Sequence, residues 1–309
     1  MLVREKLWLS QVLCAVCEKQ VQFKVAQWDA NVSDEATDEE FTARPAQFMI
    51  KEECVQFNCC LRVFLLLAEP FPFKLLIPIL FLFLFSSECC QRYCFHQFRH
   101  LKLGIFPMGG SMHDSYAGDA GWPTDVEPLL EMEKPCKIPI VCGCCMFCKP
   151  EMLVSRPAQP DRNVASEYFG RVEFDWKWWN CFFPCETFMS VKNQNDQEIF
   201  TLRRPVCCSM KDGCCVNVCA PSCCNAVHKT SIEQNGVEVG EMKNIWPGWN
   251  MRGCFQSSSA ADNFALIYPV QATVEEKSLL LAGLMLHNFT FWETRSNQNG
   301  GGGGGGGGF

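Results

Sequence analysis

The stretch Val227-His-Lys-Thr-Ser-Ile-Glu-Gln-Asn-Gly-Val-Glu-Val-Gly-Glu-Met242 carries the clearest structural pattern in the chain. Asn235-Gly236 stands between two segments that alternate apolar and polar residues. Asn-Gly is the preferred pair of a type I′ turn, because both central positions of that turn need positive φ. The pattern predicts a β-hairpin that turns at these two residues.

Other short segments of the same kind precede this hairpin, with polar turn residues between them. Many short strands at even spacing are typical of an antiparallel sandwich or barrel. The predicted strands are residues 173–180, 187–192, 198–202, 227–233 and 237–242. The sequence therefore predicts a mainly β domain.

The amino-acid composition argues against a disordered chain and against a non-specific nucleic-acid-binding protein. The chain has 309 residues, of which 48% are hydrophobic, and it carries 25 Phe and 9 Trp. Disordered chains are poor in aromatic residues, so wholesale disorder is excluded. The formal net charge is -7, and non-specific nucleic-acid binding needs a basic face. We therefore expect no nucleic-acid partner.

The chain contains 23 cysteines, an odd number that cannot all pair within one molecule. Many are adjacent in sequence, and neighbouring cysteines rarely form a disulfide with each other. Reduced thiols are therefore the favoured interpretation. The C-x-C and C-x2-C spacings also permit zinc binding, although no second pair of ligands is marked out. The thiols that raise this question are Cys142, Cys144, Cys145 and Cys148.

An apolar segment at residues 61–85 has the length of a membrane-spanning helix. Two charged residues, Glu69 and Lys74, and three prolines interrupt it. Its uninterrupted part, residues 75–85, is too short to span a bilayer as a helix. A membrane span, a buried strand, an interfacial strand and a stretch that is not part of the fold all stay open for this segment.

A second apolar segment predicts a C-terminal helix at residues 277–292, because acidic residues precede it. At 1.5 Å per residue it would be about 24 Å long, shorter than the roughly 30 Å hydrocarbon core. Burial inside a barrel is favoured, with a short membrane span as the alternative; in a barrel, His287 would be a core histidine. The apolar residues that would line the barrel core or the membrane are Leu279, Leu280, Leu281, Leu284, Leu286, Phe289 and Phe291.

Five motifs, in this order along the chain, resemble those of the phospholipid scramblase family. Each is short, but their order makes the combination specific. They are Glu88-Cys-Cys-Gln-Arg-Tyr-Cys94, Leu130-Glu-Met-Glu-Lys-Pro-Cys136 with Cys142-Gly-Cys-Cys-Met-Phe-Cys148, Glu198-Ile-Phe-Thr-Leu-Arg-Arg-Pro205, Val237-Glu-Val-Gly-Glu-Met-Lys-Asn-Ile-Trp246, and Ala261-Asp-Asn-Phe-Ala-Leu-Ile-Tyr-Pro-Val270.

The resemblance implies a tubby-like closed antiparallel β-barrel of about twelve strands around the C-terminal apolar helix. It implies movement of phospholipids between membrane leaflets without energy input, and no covalent chemistry, so we name no catalytic residues. It also implies palmitoylation of Cys142, Cys144, Cys145 and Cys148. Two or more acyl chains hold a protein stably at a membrane, whereas one does so only marginally.

Calcium is the expected cofactor of this family, bound by an EF-hand-like stretch that corresponds here to residues 260–271. Its first and last acidic positions are Ala260 and Gln271 in this chain, which leaves Asp262 and Asn263. Calcium takes six to eight oxygen ligands, so one carboxylate makes a poor site. We expect only weak calcium binding, millimolar or weaker.

The sequence thus predicts three regions. They are a divergent N-terminal region at 1–85, a scramblase-like barrel domain at 86–294 and a glycine-rich disordered tail at 295–309. The expected partners are membrane phospholipids, with assembly into homo-oligomers left open. The expected location is the plasma membrane, with the barrel on its cytoplasmic side. The alternative is a lipid-anchored, cysteine-rich interaction or metal-binding protein without translocation activity.

Overall fold

The computed structural model describes ten parts of the chain, which contain twelve β-strands and one α-helix. These parts are residues 1–5, 22–27, 47–53, 100–107, 127–135, 149–158, 164–175, 186–205, 227–245 and 263–292. The strands are β1 (Leu2–Glu5), β2 (Gln22–Ala26), β3 (Phe48–Glu53), β4 (Leu101–Pro107), β5 (Leu130–Lys134), β6 (Glu151–Arg156), β7 (Glu167–Asp175), β8 (Glu186–Asn193), β9 (Glu198–Pro205), β10 (Val227–Gln234), β11 (Val237–Ile245) and β12 (Asn263–Ile267). The helix α1 (Val274–His287) continues into a π-helical turn at Asn288–Trp292.

The strands form one antiparallel sheet in which neighbours in sequence are neighbours in space. Each strand from β2 to β11 pairs with the strand before it and the strand after it. The short strand β1 pairs with β2 on one side and with β12 on the other. Strand β1 thus lies between the second strand and the last strand.

The inner face of the sheet carries the hydrophobic core. Buried and partly exposed residues alternate along strands such as β6, where Met152 and Val154 are fully buried. Successive side chains of a strand point to opposite faces, so this alternation assigns one apolar face to the interior. The same interior contains α1, whose leucines belong to the core cluster.

The predicted hairpin is confirmed at its turn. Strands β10 and β11 pair from Gln234↔Val237 outward. Asn235 and Gly236 have φ of 52° and 78°, the left-handed values that a type I′ turn requires. The strands extend up to three residues beyond the predicted ends, and residues 243–245 of β11 are buried.

Antiparallel pairing divides the connections between two ends of the sheet. At the end that we call the near end, residues 268–273 lead from β12 into α1. At the opposite end, the far end, α1 finishes. The strand bounds place six connections at the far end: residues 6–21, 54–100, 135–150, 176–185, 206–226 and 246–262.

The mainly β, antiparallel fold with one C-terminal helix is confirmed. Several boundaries differ from the sequence prediction. The strand predicted at 173–180 is β7, which begins at Glu167 and is described to Asp175. The sheet includes β1, β2 and β3, which lie in the N-terminal region that was set apart from the barrel domain at residue 86. The helix begins at Val274 rather than at residue 277. The apolar segment at 61–85 and the tail at 295–309 lie outside the described residues.

Candidate functional site

The helix α1 begins at a capping box. The Glu276 amide donates to Thr273 Oγ1 at 3.2 Å, and the Thr273 amide donates to a Glu276 carboxylate oxygen at 2.8 Å. These bonds satisfy backbone donors that lack partners within the helix. A bond to its own backbone amide, followed by one to Thr273, lowers the pKa of Glu275. Local sequence thus fixes the point where the chain turns back into the sheet.

The helix α1 is buried along most of its length. The nine consecutive residues from Leu279 to His287 are buried, which amounts to more than two full turns. A helix that is buried all round lies in the core of its domain. The helix packs against β6, β7 and β8. Among the described residues, no helix has the length and apolar character needed to cross a membrane.

Gly283 lies at a close approach of α1 to the sheet. A Cβ atom built at this position would lie 2.7 Å from Leu202 Cδ1 of β9. It would also lie 3.5 Å from Met242 Cε of β11 and 3.8 Å from Val172 Cγ1 of β7. Three separated strands therefore contact one turn of the helix.

Aromatic rings complete the core at the far end. The ring of Phe289, in the π-helical turn, meets the ring of Phe23 edge-on, with centroids 6.4 Å apart. Phe23 also lies 6.3 Å from the ring of Phe264 on β12. Edge-on and tilted pairs at such distances are favourable geometries for aromatic rings. The last turn of the helix is thereby joined to the first and last parts of the sheet.

Polar groups are buried at this same end. Arg204 Nε of β9 donates to His228 Nε2 of β10 at 2.7 Å, and both residues are buried. His287 is the last residue of α1 and is 1% exposed. Burial lowers the pKa of His287 well below its ordinary value of 6.5, and the positive charge of Arg204 lowers it further. The interior is thus apolar along most of α1 and polar where α1 ends.

The structure brings together most of the residues predicted to line the core. Six of the seven are buried: Leu279, Leu280, Leu281, Leu284, Leu286 and Phe289. The seventh, Phe291, lies in the π-helical turn, and its side chain is outside the described part. The prediction that His287 is a core histidine agrees with its burial. The sequence prediction missed Arg204 and His228 because an arginine in a strand gives no sign of facing inward.

Of the two residues proposed to bind calcium, the structure describes one. Asp262 lies outside the described residues, and Asn263 is the first residue of β12. Asn263 is fully buried and pairs in register with Ile245 and Arg4. Residues 263–267, which fall within the EF-hand-like stretch, therefore form a strand.

All 23 cysteines, including Cys142, Cys144, Cys145 and Cys148, lie outside the described residues. The described strand ends nevertheless show where the cysteine-containing connections attach. Every cysteine falls in one of the six connections that start and finish at the far end, and the near-end connections contain none. Within the described parts there is no group of three His, Cys, Asp or Glu residues that could hold a metal ion.

Comparison with known proteins agrees with the motifs. The chain is 25% identical over 217 residues to phospholipid scramblase 1 of Mus musculus, which covers 69% of this chain and 51% of that protein. Identity to phospholipid scramblase 1 of Homo sapiens is 24% over 215 residues, or 69% and 52% of the two chains. Phospholipid scramblase 2 of Homo sapiens is 25% identical over 166 residues, or 53% and 46%.

The chain thus spans about half the length of the curated relatives it matches. No protein-family model matches it, and no solved structure does. The geometry defines the class of protein: a mainly β fold in which one antiparallel sheet packs against an apolar C-terminal helix. Within that class, the chain is a divergent relative of the phospholipid scramblase family, as its motifs predicted.

Proposed function

We propose that this protein moves phospholipids between the leaflets of a membrane, in both directions and without energy input. The observation that carries this proposal is the similarity to phospholipid scramblases over 69% of the chain. Lipid translocation makes and breaks no covalent bond, so the proposal assigns no catalytic residue. The membrane phospholipids are both the substrate and the main partner.

For the sheet, we infer the tubby-like closed barrel that the resemblance implies. Support comes from β1, which pairs with both β2 and β12 although it has only four residues. A closed sheet has no free edge to pair with another chain. The helix α1 then fills the barrel interior.

Acylation of Cys142, Cys144, Cys145 and Cys148 would hold the protein at the membrane. Each buried methylene contributes about 0.8 kcal/mol, so two or more chains give a stable anchor. The connection that carries these cysteines starts and finishes at the far end of the sheet, as do the other connections with cysteines. We therefore propose that the far end faces the membrane, at the cytoplasmic side of the plasma membrane.

Calcium control is not part of the proposal. The stretch at 260–271 keeps one carboxylate among the positions where the family has three. Part of it, Asn263–Ile267, pairs with β11 and β1 along the sheet, whereas an EF-hand binds calcium with a loop. Binding at millimolar concentration or weaker is the expectation.

The rival function is a lipid-anchored interaction or metal-binding protein that does not translocate lipid. It is favoured by the missing carboxylates. The two functions are distinguished by an assay in reconstituted vesicles. The vesicles contain a fluorescent phospholipid, and the outer leaflet is bleached chemically. Bleaching beyond half of the fluorescence supports translocation, and a plateau at half with folded protein present supports the rival. Stoichiometric zinc in the purified protein would support the metal-binding form of the rival.

A further inference from the structure

The topology of the sheet sorts the charged residues of the connections by sign. Antiparallel pairing assigns each connection to one end of the sheet, and the strand bounds fix which residues it contains. The near-end connections hold 12 Asp or Glu residues against 2 Arg residues, which leaves a net charge of -10. These connections are residues 27–47, 108–129, 157–166, 194–197, 235–236 and 268–273.

The far-end connections have the opposite sign. Their six segments hold 11 Lys or Arg residues against 5 Asp or Glu residues, which leaves a net charge of +6. An ion pair within a connection removes one charge of each sign, so internal pairing leaves these net charges unchanged. The chain is acidic as a whole, at -7, yet the connections at one of its two ends are basic.

The described residues agree with this sorting at the near end. Asp196 lies exposed in the turn between β8 and β9, Glu238 lies exposed beside the turn between β10 and β11, and Glu275 lies exposed in the first turn of α1. Two basic residues toward this end, Arg156 and Lys192, are paired with carboxylates of β7. The near end therefore presents negative charge to solvent.

The basic connections also carry the tryptophans and the thiols. Every cysteine of the chain falls in a far-end connection, and so do six of the nine Trp residues. Tryptophan is enriched where a protein meets the membrane–water interface. Basic residues attract anionic lipids, and acyl chains on cysteine add apolar anchoring. The six tryptophans are Trp8, Trp176, Trp178, Trp179, Trp246 and Trp249.

We propose that the far end binds an anionic lipid surface, such as phosphatidylserine gives to the cytoplasmic leaflet, and that the acidic near end is held away from it. This inference rests on the proposed orientation of the far end toward the membrane, and it adds the class of lipid. An anionic surface repels a chain of net charge -7 if that charge is spread evenly. Binding thus depends on the separation of charge between the two ends.

The strength of this attraction depends on salt. Each Lys or Arg close to an anionic membrane strengthens binding by about fivefold. The attraction falls off over a Debye length, which is about 10 Å at 0.1 M salt and about 3 Å at 1 M. Lipid charge and salt concentration are therefore the two variables that test the inference.

Sedimentation with vesicles tests the lipid class. The full chain is freed of acyl groups with hydroxylamine, so that only its own residues contribute. It is mixed with vesicles of phosphatidylcholine alone, or of phosphatidylcholine with about 25% phosphatidylserine. We expect phosphatidylserine to strengthen binding at least about tenfold at 0.1 M salt, and about 1 M salt to remove that gain.

A matched pair of charge variants tests which end binds. Lys137→Gln with Lys149→Gln removes two positive charges from a far-end connection and should weaken binding to the anionic vesicles about tenfold or more. Arg44→Gln with Arg162→Gln makes the same change in net charge at the near end and should leave binding unchanged. If the lysine variant fails to fold, the lipid and salt dependence of the natural chain decides.

Three results overturn the inference. They are equal binding to both kinds of vesicle, equal losses in the two charge variants, and displacement of the chain from anionic vesicles by double-stranded DNA at equal phosphate concentration. The last result would assign the basic end to nucleic acid.

Lipid translocation is scored separately, on protein incorporated into phosphatidylcholine vesicles. Translocation without a preference for phosphatidylserine overturns this inference alone. The preference without translocation supports this inference and contradicts only the proposed function.

Discussion

Gly283 of α1 lies so close to Leu202 of β9 that a Cβ atom at position 283 would stand 2.7 Å from Leu202 Cδ1. The helix can sit at this depth because one of its residues has no side chain. This contact sets the distance at which α1 packs against β9, and it leads to a prediction about stability.

Replacement Gly283→Ala should have a small net effect on stability. Overpacking costs about 1–3 kcal/mol, and the better helix propensity of alanine returns about 1 kcal/mol. The sharper test is a double-mutant cycle with Leu202→Ala, measured by urea unfolding. Because the new methyl group fills space that Leu202 vacates, the double variant should be more stable than the sum of the single effects by about 1 kcal/mol. Strict additivity would mean that the two side chains do not meet.

The capping box predicts a second stability effect. Thr273→Ala removes the oxygen that accepts from the Glu276 amide and should lower the free energy of unfolding by about 1 kcal/mol. Thr273→Ser keeps the hydroxyl group and serves as the control, with a change of less than half that size. Equal losses in the two variants would show that the hydroxyl group does not cap the helix.

The membrane anchor is tested by replacing Cys142, Cys144, Cys145 and Cys148 together with alanine. Loss of the acyl chains should move the protein from the membrane fraction to the soluble fraction, because a single remaining chain binds only marginally. The control replaces four cysteines of another far-end connection, Cys207, Cys208, Cys214 and Cys215. Unchanged fractionation of the first variant would contradict the anchor.

The expected weak calcium affinity can be tested by restoring the missing carboxylates. The natural chain should bind calcium at about 10⁻³ M or more weakly, the range of the weakest EF-type modules. Ala260→Asp with Gln271→Glu restores two of the carboxylates, and a calorimetric titration should then show tighter binding. A micromolar affinity in the natural chain would contradict the expectation, because the chain would then hold calcium without those carboxylates.

The sequence predicted the second half of the sheet better than the first half. Asn235-Gly236 is a strong local signal, since few other pairs adopt its turn, and it located β10 and β11. Strands β1 to β6 and β12 were not predicted. Of these, β1, β2 and β3 are each at most six residues long and stand in mixed sequence. Their place in the sheet depends on pairing with distant strands, which no local pattern records.

The helix, like the sheet, was predicted only in part. Six of the seven apolar residues predicted for it are buried, yet its start was placed three residues late, although Thr273-x-x-Glu276 is visible in the sequence as a capping box. The contact of Arg204 with His228 could not be predicted. It joins residues 24 positions apart, and charged residues of a β-strand are ordinarily assigned to the solvent face.

The central claim is that this chain translocates phospholipids, and lipid bleaching in reconstituted vesicles tests it most directly. Purified full-length protein is inserted into vesicles with a fluorescent phospholipid, and the outer leaflet is bleached with and without calcium. We expect bleaching well beyond half of the fluorescence, to the same extent in both conditions. Protein-free vesicles should stop at half. A plateau at half in vesicles that contain folded protein, under both conditions, would contradict translocation and favour the lipid-anchored protein.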